Sequence, residues 1–269
     1  MIYVNGTPTD DATLPMVLWD NYLSYSTSIV TASTSTTDGP VANCYTETTY
    51  DYWQATALPA YVQIDLGTGY ATKLVNSVAL IGHTIGSSGA TVQLQSSPNG
   101  TTWTTVSTVI TPTDDTPILA IFADTSARYW RVYITGTTIP VVGIVILGDR
   151  FVFPGGVMPS YTPIWQAQTV QLLQSKSLGG QFMGNRVLRQ GADTSISLVA
   201  FSRAFAEADL QPFKAWYNGG HGFVWASGPS TFTKDIGYCW RKPNAEMKPT
   251  FTETGSWVRV TMEVEAYVQ

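Results

Sequence analysis

Ala60-Tyr-Val-Gln-Ile-Asp-Leu-Gly67 is the stretch whose reading decides the fold. Val62, Ile64 and Leu66 alternate with Tyr61, Gln63 and Asp65, the period of two that gives a strand one buried and one solvated face. Working outward, Leu74 to Ile81 and Ala90 to Gln95 read as two more strands, separated by the Gly/Ser-rich loop Gly82 to Gly89. Ser96-Ser-Pro-Asn-Gly100 is turn chemistry: proline presets one backbone angle and Asn-Gly supplies positive φ. Thr101 to Val106 then resumes strand character, and Ile118 to Phe122, Tyr129 to Ile134 and Val141 to Leu147 continue the pattern. Short turns join these strands and no helical period intervenes, so the expectation is an all-β, mainly antiparallel sandwich.

The flanks divide the rest of the chain. Residues 1–17 read as an extended leader punctuated by Gly6, Pro8 and Pro15, with Met1 to Val4 free to add a strand to either half. Residues 18–150 carry the sandwich. Pro154-Gly-Gly156, Pro159 and Pro163 interrupt regular structure, which marks 151–163 as a linker. Residues 164–269 form a second β-rich unit with one helix. Asp209 stands where a cap belongs, Pro212 falls in the first turn, and Leu210, Phe213 and Tyr217 share a face. Asn218-Gly-Gly220 ends that helix. From Trp257 to Val268, Val258, Val260, Met262, Val264 and Ala266 alternate with polar residues in a long strand.

Composition excludes several functions. Only 12% of the residues are charged, about half the usual share, and the net charge is −5 with no run of Lys or Arg. Nucleic acid and anionic membrane both demand basic clusters, so neither is an expected partner. The N-terminus lacks the basic and apolar regions of a signal peptide, and Ile139 to Leu147 is too short to span a bilayer. Cys44 and Cys239 fall in different halves, which predicts two reduced thiols. His83 and His221 also lie apart, each beside glycine, and no nucleophile elbow or metalloprotease motif is present. Asp114 and Asp115 are adjacent in a Pro-flanked loop, where a solvated turn is the expected role. The expectation is a protein with no catalytic residues, cofactor or metal.

Tyr61-Val-Gln-Ile-Asp-Leu-Gly67, Gln95-Ser-Ser-Pro-Asn-Gly-Thr-Thr-Trp103, Ala127-Arg-Tyr-Trp-Arg-Val132 and Ile144-Val-Ile-Leu-Gly148 resemble the discoidin, or coagulation-factor C-type, jelly roll of the galactose-binding-like fold. The entry fits as well, with Asn21 and Tyr22, Thr31-Ala-Ser33 and Asp51-Tyr-Trp-Gln-Ala55. The resemblance implies a sandwich whose loops at one end meet a ligand. A sugar needs an aromatic face and polar side chains for its hydroxyls, and these loops offer Asn43, Tyr45, Tyr50, Asp51, Trp53 and His83. Trp53 has a second reading as a partly buried residue, and His83 one as a bond to its neighbouring loop. Trp103 and Trp130, on core strands, are expected to be structural. Calcium, known in the family, is not expected, because Gly143 to Leu147 has no carboxylate.

The second half, with its helix set between strands, resembles the ring-forming domain of phage distal tail and tail-tip proteins. That resemblance implies a structural component of a bacteriophage tail tip or baseplate, made in the host cytoplasm and carried in the virion. Its partners would be copies of itself (a hexameric ring first, a trimer next), the tail tube and other tail-tip proteins, and a host cell-surface glycan. Two alternatives stand beside it: a carbohydrate-binding module protein without ring assembly, and a glycan-degrading enzyme.

Overall fold

The alternation of the opening stretch becomes a strand, Ala60–Asp65, with Ala60, Val62 and Ile64 buried and Tyr61, Gln63 and Asp65 facing out. The computed structural model describes residues 1–6, 8, 11–252 and 255–267. In chain order the first strands are β1 (Ile2–Val4), β2 (Met16–Leu18), β3 (Ile29–Ala32), β4 (Trp53–Gln54), β5 (Ala60–Asp65) and β6 (Leu74–His83). They are followed by β7 (Thr91–Ser97), β8 (Thr104–Thr105), β9 (Ile118–Ser126), β10 (Tyr129–Thr135) and β11 (Val141–Gly148). A front sheet runs β3-β5-β10-β7-β8 and a back sheet β1-β9-β6-β11-β4. All these pairings are antiparallel except β1 with β9. Between the sheets lies a core that includes Trp53, Trp130, Phe122, Leu80 and Val145.

The second half supplies β12 (Phe151–Val152), β13 (Gln168–Lys176), β14 (Phe182–Ser197), β15 (Phe201–Ser202) and β16 (Phe223–Ala226). It continues with β17 (Ile236–Arg241), β18 (Thr250–Phe251), β19 (Trp257–Arg259) and β20 (Thr261–Ala266). A seven-stranded sheet runs β12-β2-β16-β17-β20-β14-β13, and a small one runs β15-β19-β18. In β20, Met262, Val264 and Ala266 are buried while Thr261, Glu263 and Glu265 point away. Val268, included in the sequence reading of this strand, lies outside the described residues. Two helices pack against the large sheet, α1 (Arg203–Ala208) and α2 (Leu210–Gly219). Ser202 Oγ caps α1 by accepting from Phe205 N. Asp209 makes no capping bond, because its backbone is already helical where α1 runs into α2. Gly220, at φ +84°, closes α2 in the left-handed conformation that a side chain resists.

The two halves share a third core. Ala79, Ile81, Leu119, Ile121, Ile144 and Ile146, on the outer face of the back sheet, pack on Val224, Ala226, Ile236 and Tyr238 of the large sheet. The back sheet is thus buried on both faces, which is why its strands read as unbroken apolar runs such as Ile118-Leu-Ala-Ile-Phe122. The leader is built into both halves: β1 joins the back sheet and β2 joins the large one. The stretch 151–163, expected as a linker, is packed. Phe153 is buried, and Tyr161 Oη donates to Asp235 while accepting from Trp225 Nε1. Layered this way, the jelly roll keeps one sheet face open to solvent, the outer face of the front sheet.

One element leaves the body. β14 pairs with β20 only from Ala192 onward, so Phe182–Gly191 and its partner β13 project as a two-stranded arm. Every side chain of β13 is exposed.

Candidate functional site

The loop end that the sequence pointed to is built differently from the expectation. His83 and Trp53 are the two partners of Val142, one on each side of it across the back sheet. That register turns both into the sandwich interior. Trp53 is 1% exposed and donates from Nε1 to Thr34 O and Ser35 Oγ. His83 is fully buried, its Nδ1 accepts the Ile85 N–H at 3.3 Å, and burial pushes its pKa down to about 4. Neither offers a face to a solute. Asn43 spends its side-chain amide on Tyr52 O, and Asp51 accepts from Thr48 Oγ1. Tyr45 packs half-buried against the core, leaving Tyr50, 80% exposed, as the free aromatic of the set.

The same loop is a clasp between the halves. Glu47 Oε1 meets His221 Nδ1 at 2.9 Å, Oε2 accepts the Gly222 N–H, and the Glu47 carbonyl accepts from Tyr238 Oη. His221 stacks on Trp216 with ring centroids 4.3 Å apart. These contacts fix the loop on that side.

A second arrangement, which the sequence reading passed over, stands on the open face of the front sheet. Register aligns Thr31, Gln63, Arg131, Gln95 and Thr105 in one row across all five strands. The neighbouring row holds Tyr61, Tyr133 and Gln93. Trp103 reaches the same place from the turn before β8. Ser97 Oγ accepts from Asn99 N and Gly100 N there, Asn99 Oδ1 accepts from Thr101 N and Thr102 N, and Gly100 takes φ +74° against the Tyr129 ring. Arg131 lies among the three rings, its guanidinium carbon 4.2 Å from the Trp103 centroid, 5.0 Å from Tyr133 and 5.3 Å from Tyr61. Its Nε donates to Gln95 Oε1 at 2.6 Å. Trp103, expected in the core, is half-exposed because β8 is an edge strand with both residues in solvent.

This face presents flat π surface beside a line of amide and hydroxyl groups, the combination that meets the apolar and polar sides of a pyranose. The outward residues were legible as the polar half of each alternation. What sequence alone lacks is the register that puts Gln63, Arg131 and Gln95 side by side.

A cleft of about 440 Å³ at the base of the arm is lined by Thr49, Gln171, Trp240 and Tyr267, and its charged side chains are paired, Arg189 with Glu265 at 2.6 Å and Asp193 with Lys242. Asp114 accepts from Thr116 N and Asp115 from Ser87 N, so these carboxylates tie their own loops. Cys44 and Cys239 are free and buried in separate cores, and burial pushes the Cys44 thiol up to about 12. No group of three or more His, Cys, Asp or Glu side chains that could hold a metal occurs among the described residues.

No curated protein matches the chain. Among solved structures, a CBM32 from Clostridium perfringens, in complex with GalNAc-beta-1,3-galactose, aligns at 12% identity and TM-score 0.40, over 46% of this chain and 96% of that one. The chitosan-binding module 1 of a Paenibacillus sp. IK-5 chitosanase/glucanase aligns at 19% identity and TM-score 0.38, over 52% and 98%. A Ruminococcus gnavus fucosidase aligns at 15% identity and TM-score 0.42, over 49% of this chain and 27% of that one. Residues 29–145 match the family model of the F5/8 type C domain, so the jelly roll is a discoidin-like one, as its strand motifs implied.

Proposed function

We propose that the jelly roll is a glycan-binding module, and that it binds through the open face of its front sheet without turning its ligand over. The observation that carries this reading is the Trp103–Tyr61–Tyr133 cluster beside the Thr31–Gln63–Arg131–Gln95–Thr105 row. The indole N–H of Trp103 and the phenols of Tyr61 and Tyr133 make no hydrogen bond to any described residue, so their polar tips are free for a ligand. An open platform of this kind binds single sites weakly, at about 0.1–1 mM, or roughly −4 to −5.5 kcal/mol. Isothermal titration of the full chain against a panel of oligosaccharides tests the reading. Trp103→Ala should abolish the heat of binding while leaving the unfolding midpoint within a few degrees of wild type. Undiminished binding by that variant would sink it.

The arm favours a second, compatible reading. Leu172, Leu173, Leu178, Phe182, Met183 and Leu188 are all exposed on it. A free two-stranded ribbon is marginal in water, and a projecting apolar surface of this kind fits a partner. Between Gln168 and Gly191 the sequence has Lys176, Arg186 and Arg189 and no carboxylate, in a chain whose net charge is −5. A basic arm on an acidic body suits head-to-tail contact with another copy, which closes into a ring or extends as a filament. Together with the second half's resemblance to phage tail-ring domains, this supports a role as a ring component of a tail tip, six-fold before three-fold, that displays the jelly roll toward a host-surface glycan. Several copies would gain ~10²–10⁴-fold in avidity on a repeating surface. Sedimentation of Leu172→Asp/Phe182→Ser should show loss of self-association with glycan binding intact. A wild type that is monomeric at every concentration would remove the ring and leave the binding module.

A further inference from the structure

Among the described residues the front face carries one charge without an ionic partner, Arg131, and it sits at the centre of the face. Arg131 is the middle residue of the five-residue row, with Gln63 on one side and Gln95 on the other. Among the described residues no acidic side chain pairs with its charge. Gln95, a neutral amide, takes the Nε hydrogen bond, and among the described residues neither Nη group has a hydrogen-bond partner. The ionisable groups acting on it are the Tyr61 and Tyr133 phenols, not carboxylates. The nearest acid along β5, Asp65, is already closed by Arg128, which holds it with Nε at 2.7 Å and Nη2 at 2.8 Å. Every other feature of the row works for an uncharged sugar. Only the bare guanidinium asks for an anion.

Geometry narrows which anion. With Nε committed to Gln95 and the guanidinium set among Trp103, Tyr133 and Tyr61, the free edge is the Nη1–Nη2 end of the fork. That edge presents parallel N–H groups at the spacing of the two oxygens of a carboxylate, the pairing in which arginine differs most from lysine. The surrounding rings lower the local dielectric and strengthen such a pair relative to one in open water. On either side, the amides of Gln63 and Gln95 and the hydroxyls of Thr31 and Thr105 line up for the hydroxyls of neighbouring sugars. Five strands spaced ~4.8 Å apart give a track of roughly 19 Å, room for a glycan of about four sugars lying across the strands.

We infer that the front sheet binds an acidic polysaccharide, with a uronate carboxylate seated on Arg131 and the flanking sugars on Trp103, Tyr61, Tyr133 and the glutamines. This rests on the glycan-binding reading above and adds the charge of the ligand to it. It also resolves the contrast between an acidic chain and an anionic ligand, since recognition falls on one sheltered cation rather than on a basic surface.

Affinity electrophoresis of the full chain in gels containing polygalacturonate, its fully methyl-esterified form, or neutral galactan tests the proposal. Wild type should be retarded by polygalacturonate, little by the ester, and less as salt is raised. Arg131→Ala should weaken retardation about ten-fold or more, the loss expected for one charge-assisted bidentate contact. Arg131→Lys, which keeps the charge and loses the fork, should recover only a small part. Arg203→Ala, which removes another surface arginine stacked on an aromatic ring in the second half, should bind as wild type. Near-ultraviolet circular dichroism checks that each variant is folded. Should Arg131→Ala misfold, Gln95→Ala, which frees the guanidinium from its tether, must still lower affinity for the acid polymer. An Arg131→Ala protein that binds polygalacturonate normally overturns the inference, as does equal retardation by acid and ester. That second outcome would keep the neutral-glycan reading. Failure to bind any of the three polymers sinks both.

Discussion

At position 83 a histidine beside glycine looked like a residue on the edge of a ligand loop, and the fold instead closes over it. Its pKa falls from 6.5 to about 4 because burial disfavours the charged ring, against the smaller opposing pull of Asp115 and Asp114. Above pH 6.5 the ring is neutral folded or unfolded, and it has no effect on stability. Between pH 6.5 and 4 the unfolded chain takes up a proton that the folded chain refuses, so stability is lost as pH falls through that window. The loss attributable to this group approaches about 3 kcal/mol at pH 4. Urea unfolding at pH 7, 5 and 4 should show that slope in wild type and a shallower one in His83→Gln. Two aromatic residues of the same loop region part company in the same way. Trp53→Ala should cost about 3–5 kcal/mol, since its indole fills the core. Tyr50→Ala, at a side chain 80% exposed, should stay within ~0.5 kcal/mol of wild type. Denaturant midpoints separate the two outcomes.

Single elements carry the next level of behaviour. The arm formed by β13 and Phe182–Gly191 has few contacts to hold its tip, where Leu178 is fully exposed between Ser177 and Gly179. Limited proteolysis of the dilute protein should therefore cut between Ser177 and Gly180, while 151–163 survives. First cleavage within 151–163 would mean that the packing of Phe153 and Tyr161 is weaker than their burial indicates. The sequence reading of these elements succeeded wherever one face was buried, as in β5, β7, β10 and β20, because burial of alternate residues leaves a period of two. It placed α2 through Leu210, Phe213 and Tyr217 but missed α1, which is too short for a helical period to emerge. It also took Pro154, Pro159 and Pro163 as marks of a linker. Proline excludes regular hydrogen bonding, yet it does not exclude packing, and Phe153 between those breaks is buried. The front-face row escaped notice for a related reason. Gln63, Arg131 and Gln95 are far apart in the chain, and nothing local encodes that three strands meet at one register.

Taken as a whole the molecule stacks its three large sheets with helices on the far side, and the middle sheet is the one that neither half can spare. A chain truncated after Arg150 would expose Ile81, Leu119, Ile121, Ile144 and Ile146 together, an apolar patch large enough to drive association. It should appear in aggregates or bind a hydrophobic dye, whereas the full chain should unfold in a single calorimetric transition. Two well-separated transitions would show instead that the shared core is too weak to couple the halves. Glu47→Ala should shift the full chain's midpoint only slightly, because its partner His221 is half-exposed. The placement of β2 carries one more consequence, for synthesis on the ribosome. Met16–Leu18 emerges about 200 residues before its partner strand β16, and the layer that covers the middle sheet is made only after the jelly roll. Until the second half has been synthesised, a nascent jelly roll must carry its greasiest surface uncovered. Such high contact order makes folding slow and leaves the nascent chain a natural client for holding chaperones.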